Sequence, residues 1–334
     1  MPPMAEPHEP LAHRRRPLKR LLDLFGPLLA LIGIYLLFGI AVEDGLFFTG
    51  RVLRTICAQT VVVALAAMGM TLIMISGGID LSVGSIIAFS CVAIAYLVNR
   101  GAAPLWATAA GIGVGGLCGL ANGSMVATLR IVPFIVTLGT RGIYRGLTLM
   151  AAKEQTINAP ATWLNTLMYR APDPAWLILS PGVWLAIALA IATFAVLRLT
   201  VFGVHVFAVG SSEETARLCG LRVGRIKILV YTIGGLLAGL SGLMQYSYLS
   251  VGDPTTAPDS ELDVIAAVVI GGGSLSGGAG SIVGTIVGAL IMTTLQIGGT
   301  MMGWRNYLQK ILVGAIIIAA VSLDRLRRRT GLGD

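Results

Sequence analysis

Three groups of residues in this sequence have types and spacings that bear on chemistry. The first is Ser76-Gly77-Gly78-Ile79-Asp80-Leu81-Ser82-Val83-Gly84-Ser85, a glycine-rich string with one carboxylate between two apolar runs. A related string, Gly272-Gly273-Ser274-Leu275-Ser276-Gly277-Gly278, shares the pattern Gly-x-[Asp/Ser]-Leu-Ser-x-Gly. The second group is Arg141 and Arg145, four residues apart and therefore on one face of a helix. The third is Gly210-Ser211-Ser212-Glu213-Glu214-Thr215-Ala216-Arg217-Leu218-Cys219-Gly220, where a serine can cap a short helix that Gly220 ends. None of these is a catalytic constellation. The chain has no Gly-x-x-x-x-Gly-Lys-[Ser/Thr] phosphate loop, no Gly-x-Ser-x-Gly and no His-Glu-x-x-His. His8, His13 and His205 are scattered, and Cys57, Cys91, Cys118 and Cys219 show no metal spacing. The expectation is a protein that is not an enzyme and carries no cofactor or metal of its own.

The elements that position these groups follow from composition. The 334 residues are 55% hydrophobic and 12% charged, with 43 glycines and a mean hydropathy of +0.84. A soluble domain is about one quarter charged, so soluble, disordered, collagen-like and disulfide-stapled classes are excluded. The reading is an all-α polytopic membrane protein with about ten transmembrane helices. Apolar segments fall at 21–42, 55–76, 80–98, 104–128, 132–151, 176–198, 226–249, 262–273, 281–299 and 307–323. The first is too long for a signal-peptide core and reads as an uncleaved span. This divides the chain into a basic tail 1–20, a membrane domain 21–323 with a cytoplasmic loop at 200–227, and a basic tail 324–334.

Charge sets the expected orientation. With both termini in the cytoplasm, the inner face holds Arg14, Arg15, Arg16, Lys19, Arg20, Arg130, Arg198, Arg217, Arg222, Arg225, Lys227, Arg325, Arg327, Arg328 and Arg329. The outer face holds only Arg51, Arg54, Arg100, Lys153, Arg170 and Arg305. Its loops carry Glu43, Asp44, Glu154, Asp173, Asp253, Asp259, Glu261 and Asp263. The net charge of +8 is thus an orientation signal and implies no nucleic-acid partner. Glycines at four-residue spacing (Gly111, Gly115, Gly119, Gly123; Gly235, Gly239; Gly280, Gly284, Gly288; Gly142, Gly146) read as close helix packing.

Within this frame the three groups have alternative readings. The glycine-rich strings are either discontinuous helices of a transporter or tight turns in which Asp80 and Ser82 cap the next helix. Arg141 and Arg145 line a path, pair with acids, or snorkel to the interface. The 210–220 helix is either a handle for another protein or a solvated loop.

The chain resembles the ribose/xylose/galactoside-type permease subunits of bacterial ATP-binding-cassette sugar importers, over about Arg54 to Asp324. The resemblance is carried by Gly69-Met70-Thr71 through Gly84, by Asn122-Gly123, by Pro133 through Thr140 including Thr137, by Arg145-Gly146-Leu147, by Gly210 to Lys227, and by Glu261 through Gly288. It departs from that family at Ser211, Ser212, Cys219 and Arg141. The resemblance implies import of a pentose or hexose across the bacterial inner membrane. Its implied partners are a second permease copy or paralogue, a cytoplasmic ATPase that binds the ATP, and a periplasmic sugar-binding protein. Gly77, Gly78, Asp80, Ser82, Gly84, Asn122, Thr137, Arg141, Arg145, Ser274 and Ser276 are the expected translocation-path or helix-break residues. Gly210, Ser212, Glu213, Glu214, Ala216, Arg217, Leu218 and Gly220 are the expected coupling residues. The rival reading is a stand-alone ion-coupled secondary sugar transporter, whose ionisable network would be Asp80 with Arg141 and Arg145.

Overall fold

The computed structural model describes residues 16–169 and 178–329. Arg14, Arg15, Arg170, Asp173 and the ends of both expected tails lie outside the described residues. Twelve α-helices occur among those described: α1 (Arg16–Ala41), α2 (Gly50–Ile75), α3 (Val83–Asn99), α4 (Pro104–Leu129), α5 (Pro133–Ala152), α6 (Pro181–Leu199), α7 (Val201–Ser211), α8 (Glu213–Leu218), α9 (Val223–Leu249), α10 (Ser260–Ile270), α11 (Ile282–Met301) and α12 (Asn306–Arg329). Two short antiparallel strands, β1 (Ile157–Asn158) and β2 (Val251–Gly252), tie the loops after α5 and α9. Each expected apolar segment falls on a helix. Five helices (α2, α4, α6, α9 and α11) are long and apolar enough to cross a membrane. The protein is an all-α polytopic membrane protein.

Local chemistry sets the helix starts. Pro104, Pro133 and Pro181 open α4, α5 and α6, where a missing N–H costs nothing. Thr49 and Ser281 accept hydrogen bonds from Val52 and Gly284 to cap α2 and α11. Helices α2 and α9 form the buried centre, with α3 and α4 packed on α9.

The glycine rows explain how the helices approach. A Cβ on Gly119 would stand 2.9 Å from Gly235 Cα, and one on Gly239 would stand 2.9 Å from Ile112 Cα. The rows of α4 and α9 therefore face one another. Gly284 and Gly288 likewise seat α11 on Gly271 and Ala267 of the α10 region. Gly142 and Gly146 differ: a Cβ on either would meet nothing within 4 Å outside its own helix turn. The packing expected of that pair is absent within the chain, because it sits on the outward face of α5.

The segment expected as a loop at 200–227 is mostly helical. Thr200 breaks the chain after α6 and caps α7, whose Gly203, Val206 and Val209 are buried. Only α8 and the turn through Arg222 stand apart from the bundle, and α9 begins at Val223.

Candidate functional site

The α2–α3 break is built around one buried carboxylate. Gly77 takes φ +81°, which turns the chain out of α2, and residues 78–80 run without helix. Asp80 Oδ1 then accepts from Ser82 N at 2.8 Å and from Ser82 Oγ at 2.6 Å. Asn122 Nδ2 of α4 donates to Ser82 Oγ at 2.8 Å, and Tyr144 OH of α5 lies 3.0 Å from Asn122 Oδ1. Thr137 and Tyr231 both donate to Ile79 O, at 3.2 and 3.3 Å. Asp80, Ser82, Asn122 and Thr137 are all buried. No ion pair among the described residues includes Asp80, so hydrogen bonds alone stabilise it.

The capping reading needs correction at Ser82. This residue precedes α3, but its hydroxyl donates to Asp80 and makes no cap hydrogen bond. The second break repeats the same local device: Ser274 Oγ accepts from Ser276 N at 3.1 Å, the same two-residue spacing as Asp80 and Ser82.

The two breaks also touch. Gly278 N donates to Ile75 O at 2.9 Å, and a Cβ on Gly277 would lie 3.0 Å from Gly77 Cα and 2.6 Å from Gly210 O. Gly210, near the end of α7, packs against Ile75 O and Gly278 N so closely that it has no room for any side chain. Gly77, Gly277 and Gly278 have positive φ (+81°, +87° and +73°), which other residues rarely adopt. Three parts of the chain therefore meet at one glycine junction.

Helix α8 follows that junction directly. Ser212 Oγ accepts from Thr215 N at 3.2 Å, and Gly220 at φ +83° ends the turn. Glu213 binds Arg217 within α8 and Lys227 of α9, each at 2.6 Å. Burial works to raise the Glu213 carboxyl, but hydrogen bonds and charge from Lys227 and Arg217 outweigh it and hold the group below its ordinary value. Glu214, Arg217 and Leu218 are exposed, whereas Ala216 is buried against the bundle. Gly210 and Ala216 thus attach the helix, and its other residues form the outer surface.

Arg141 and Arg145 act differently from each other. Arg145 Nη1 donates to Pro254 O at 2.7 Å and to Thr256 O at 3.0 Å. Arg141 Nη2 reaches Asp259 Oδ1 at 3.1 Å and Glu261 Oε1 at 2.6 Å. The placement of Glu261 and Asp263 in outer loops is corrected by the structure. Both lie in the first turn of α10, Glu261 is buried, and Asp263 accepts from Gln296 of α11 at 3.0 Å. The reason is the path of the chain after α9. Gly252 packs against Ala95 and Val92 of α3, while Ala257 and Glu261 reach Gly84 in its first turn. Gly84 leaves the room for Glu261 there.

Sequence reading alone misses Tyr144, Tyr231 and Lys310, and it places Glu261 in an outer loop. Thr137, Thr140, Tyr144 and Thr148 form a buried polar stripe at helical spacing that marks the inward face of α5. Tyr231 has no comparable local signal.

Two polar helix breaks, joined through one glycine junction to a capped helix at the edge of the bundle, set this helical membrane protein apart from a simple anchor. Residues 52–321 match the family described as branched-chain amino acid transport system / permease component, and the chain belongs to that family. It is 38% identical over 282 residues to the ribose import permease protein RbsC of Escherichia coli (strain K12), covering 84% of this chain and 88% of that one. It is 34% identical to the ribose import permease protein of Bacillus subtilis (strain 168), covering 90% and 92%. The L-arabinose ABC transporter permease protein of Azospirillum brasilense is also 34% identical, with coverage of 92% and 89%. No solved structure matches the chain.

Proposed function

We propose that this chain is the membrane-spanning permease subunit of an ATP-binding-cassette importer that moves a monosaccharide across the bacterial inner membrane. In this reading both termini are cytoplasmic and two permeases, copies or paralogues, enclose the path. A periplasmic binding protein delivers a pentose or hexose, and a separate cytoplasmic ATPase binds ATP. The observation that carries it is the glycine junction: α7 leads straight into α8, and its Gly210 contacts both helix breaks. A push on α8 by an ATPase subunit would reach Gly77 and Gly277 without passing through flexible chain. Asp80, Ser82, Asn122 and Thr137 hold the first break in shape, and Ser274 and Ser276 hold the second.

The test is reconstitution in proteoliposomes with the ATPase and binding protein that co-purify with it in mild detergent, using radiolabelled D-ribose, L-arabinose and D-fructose. Uptake that needs ATP and the binding protein, and survives an uncoupler, supports this reading. Uptake abolished by the uncoupler alone would favour the ion-coupled carrier. Family membership and the lack of any cation at Asp80 among the described residues both weigh against that rival.

A further inference from the structure

The segment between β2 and α10 runs along α3. It touches Ala95 of α3 at Gly252 and Gly84 at Glu261, a descent of about 16 Å at 1.5 Å per residue of α3. Arg141, which meets it there, lies eight residues into α5, about 12 Å from that helix's start. Helix α5 has 20 residues and is about 30 Å long, so this contact lies near its middle. Ala257 and Asp259 hold left-handed φ values of +53° and +58°, backbone conformations that non-glycine residues keep only where surroundings impose them.

The side chains gathered here are not sealed. Arg141 is 38% exposed, Asp259 42% and Lys310 of α12 65%, while Glu261 below them is 2% exposed. Charges are costly in lipid, so in the import reading these half-exposed groups face water. Their bonding capacity is only partly used. Asp259 takes one donor per oxygen, Arg141 at 3.1 Å and Lys310 at 2.7 Å, although a carboxylate offers about four acceptor positions. Arg141 meets both acids through Nη2, leaving the rest of its five-donor fork open. Glu261 Oε1, despite its close charge contact, makes no aligned hydrogen bond. With the neighbouring Arg145 and Asp263, three cations stand among three anions here.

We propose that Arg141, Asp259, Glu261 and Lys310 form a recognition site for the hydroxyl groups of a neutral sugar, on the wall of the translocation path. The assignment rests on the import reading above. A hydroxyl both donates and accepts, so adjacent hydroxyls fit alternating guanidinium, carboxylate and ammonium groups. Charge balance disfavours anionic sugars, which would compete with Asp259 and Glu261 for the same cations.

The experiment uses the reconstituted complex and the same three labelled sugars. Arg141→Gln and Asp259→Asn should each cut uptake by about tenfold or more, the scale of losing one charged hydrogen-bond partner. A quadruple variant, Arg141→Gln, Asp259→Asn, Glu261→Gln and Lys310→Gln together, separates recognition from scaffolding, because it removes every ion-paired partner of the cluster and leaves none of these charges stranded. Continued loss in the quadruple variant supports the site; its return to wild-type uptake would overturn it. Single variants that transport at the wild-type rate would overturn it as well. Should Arg141→Gln fail to insert, Lys310→Gln on the most exposed side chain should still lose transport, and wild-type uptake there counts against the site. A wild-type complex that imports none of the three sugars would overturn the import reading and this assignment together.

Discussion

At the scale of single residues, Asp80 carries the clearest consequence. Its Oδ1 accepts two hydrogen bonds from Ser82 in a buried setting. Asp80→Asn keeps an acceptor there and should insert at wild-type yield. Asp80→Ala strands the Ser82 N–H and hydroxyl, at a cost of about 1–3 kcal/mol. Alanine should therefore lower the melting temperature in detergent measurably more than asparagine, and equal melting for the two variants would contradict this account. The string around Asp80 was legible because glycines flanking a lone carboxylate between apolar runs mark a helix break. Its partners were not legible by the same means. Tyr144 and Tyr231 come from helices far along the chain, and an aromatic in an apolar helix looks alike whether its hydroxyl is bonded or idle. Glu261 and Asp263 were visible but assigned to a loop, since no local pattern reveals that the chain runs along α3 before α10 begins.

At the scale of elements, α8 is attached through Glu213 and through the glycine junction. The folded Glu213 carboxyl lies below its ordinary value because Lys227 and Arg217 together outweigh its burial. Its contribution is thus fully present above the ordinary glutamate value of about 4.3, and fades as pH falls through the lower, folded value. Hydrogen–deuterium exchange over residues 212–220 should show protection at neutral pH that declines only below that range. Glu213→Gln should show weak protection at every pH, and unchanged protection in that variant would remove Glu213 from the attachment. The junction makes a different demand. Gly277→Ala meets both a strained φ of +87° and Gly210 O at 2.6 Å. ATP hydrolysis should continue while sugar moved per ATP falls several-fold; tight coupling in the variant would argue that the breaks do not follow α8. Most helices were legible because twenty apolar residues leave few choices in a bilayer. Helix α7 was not, since its eleven residues, His205 and Ser211 among them, are too few to cross a bilayer and read as part of a cytoplasmic loop.

At the scale of the whole molecule, two sets of glycines with one sequence signature do different work. Those of α4 and α9 face each other at backbone contact, whereas Gly142 and Gly146 of α5 face open space. Without a hydrophobic drive between helices in lipid, close backbone approach supplies much of the packing energy, so the first set holds the subunit together. The second set makes no close contact within the chain, which leaves its face free as a candidate contact for a second permease. Gly115→Val would drive a side chain into Gly235 and Gly239 and should lower both yield and melting temperature of the single subunit. Gly142→Val meets no atom within its own chain and replaces a poor helix former, so the isolated subunit should be at least as stable as wild type. Its effect should appear only in the pair, as a shift from dimer to monomer in native mass spectra and a matching loss of uptake. If Gly142→Val leaves both dimer and uptake intact, the open face of α5 is a lipid surface and the two permeases meet elsewhere.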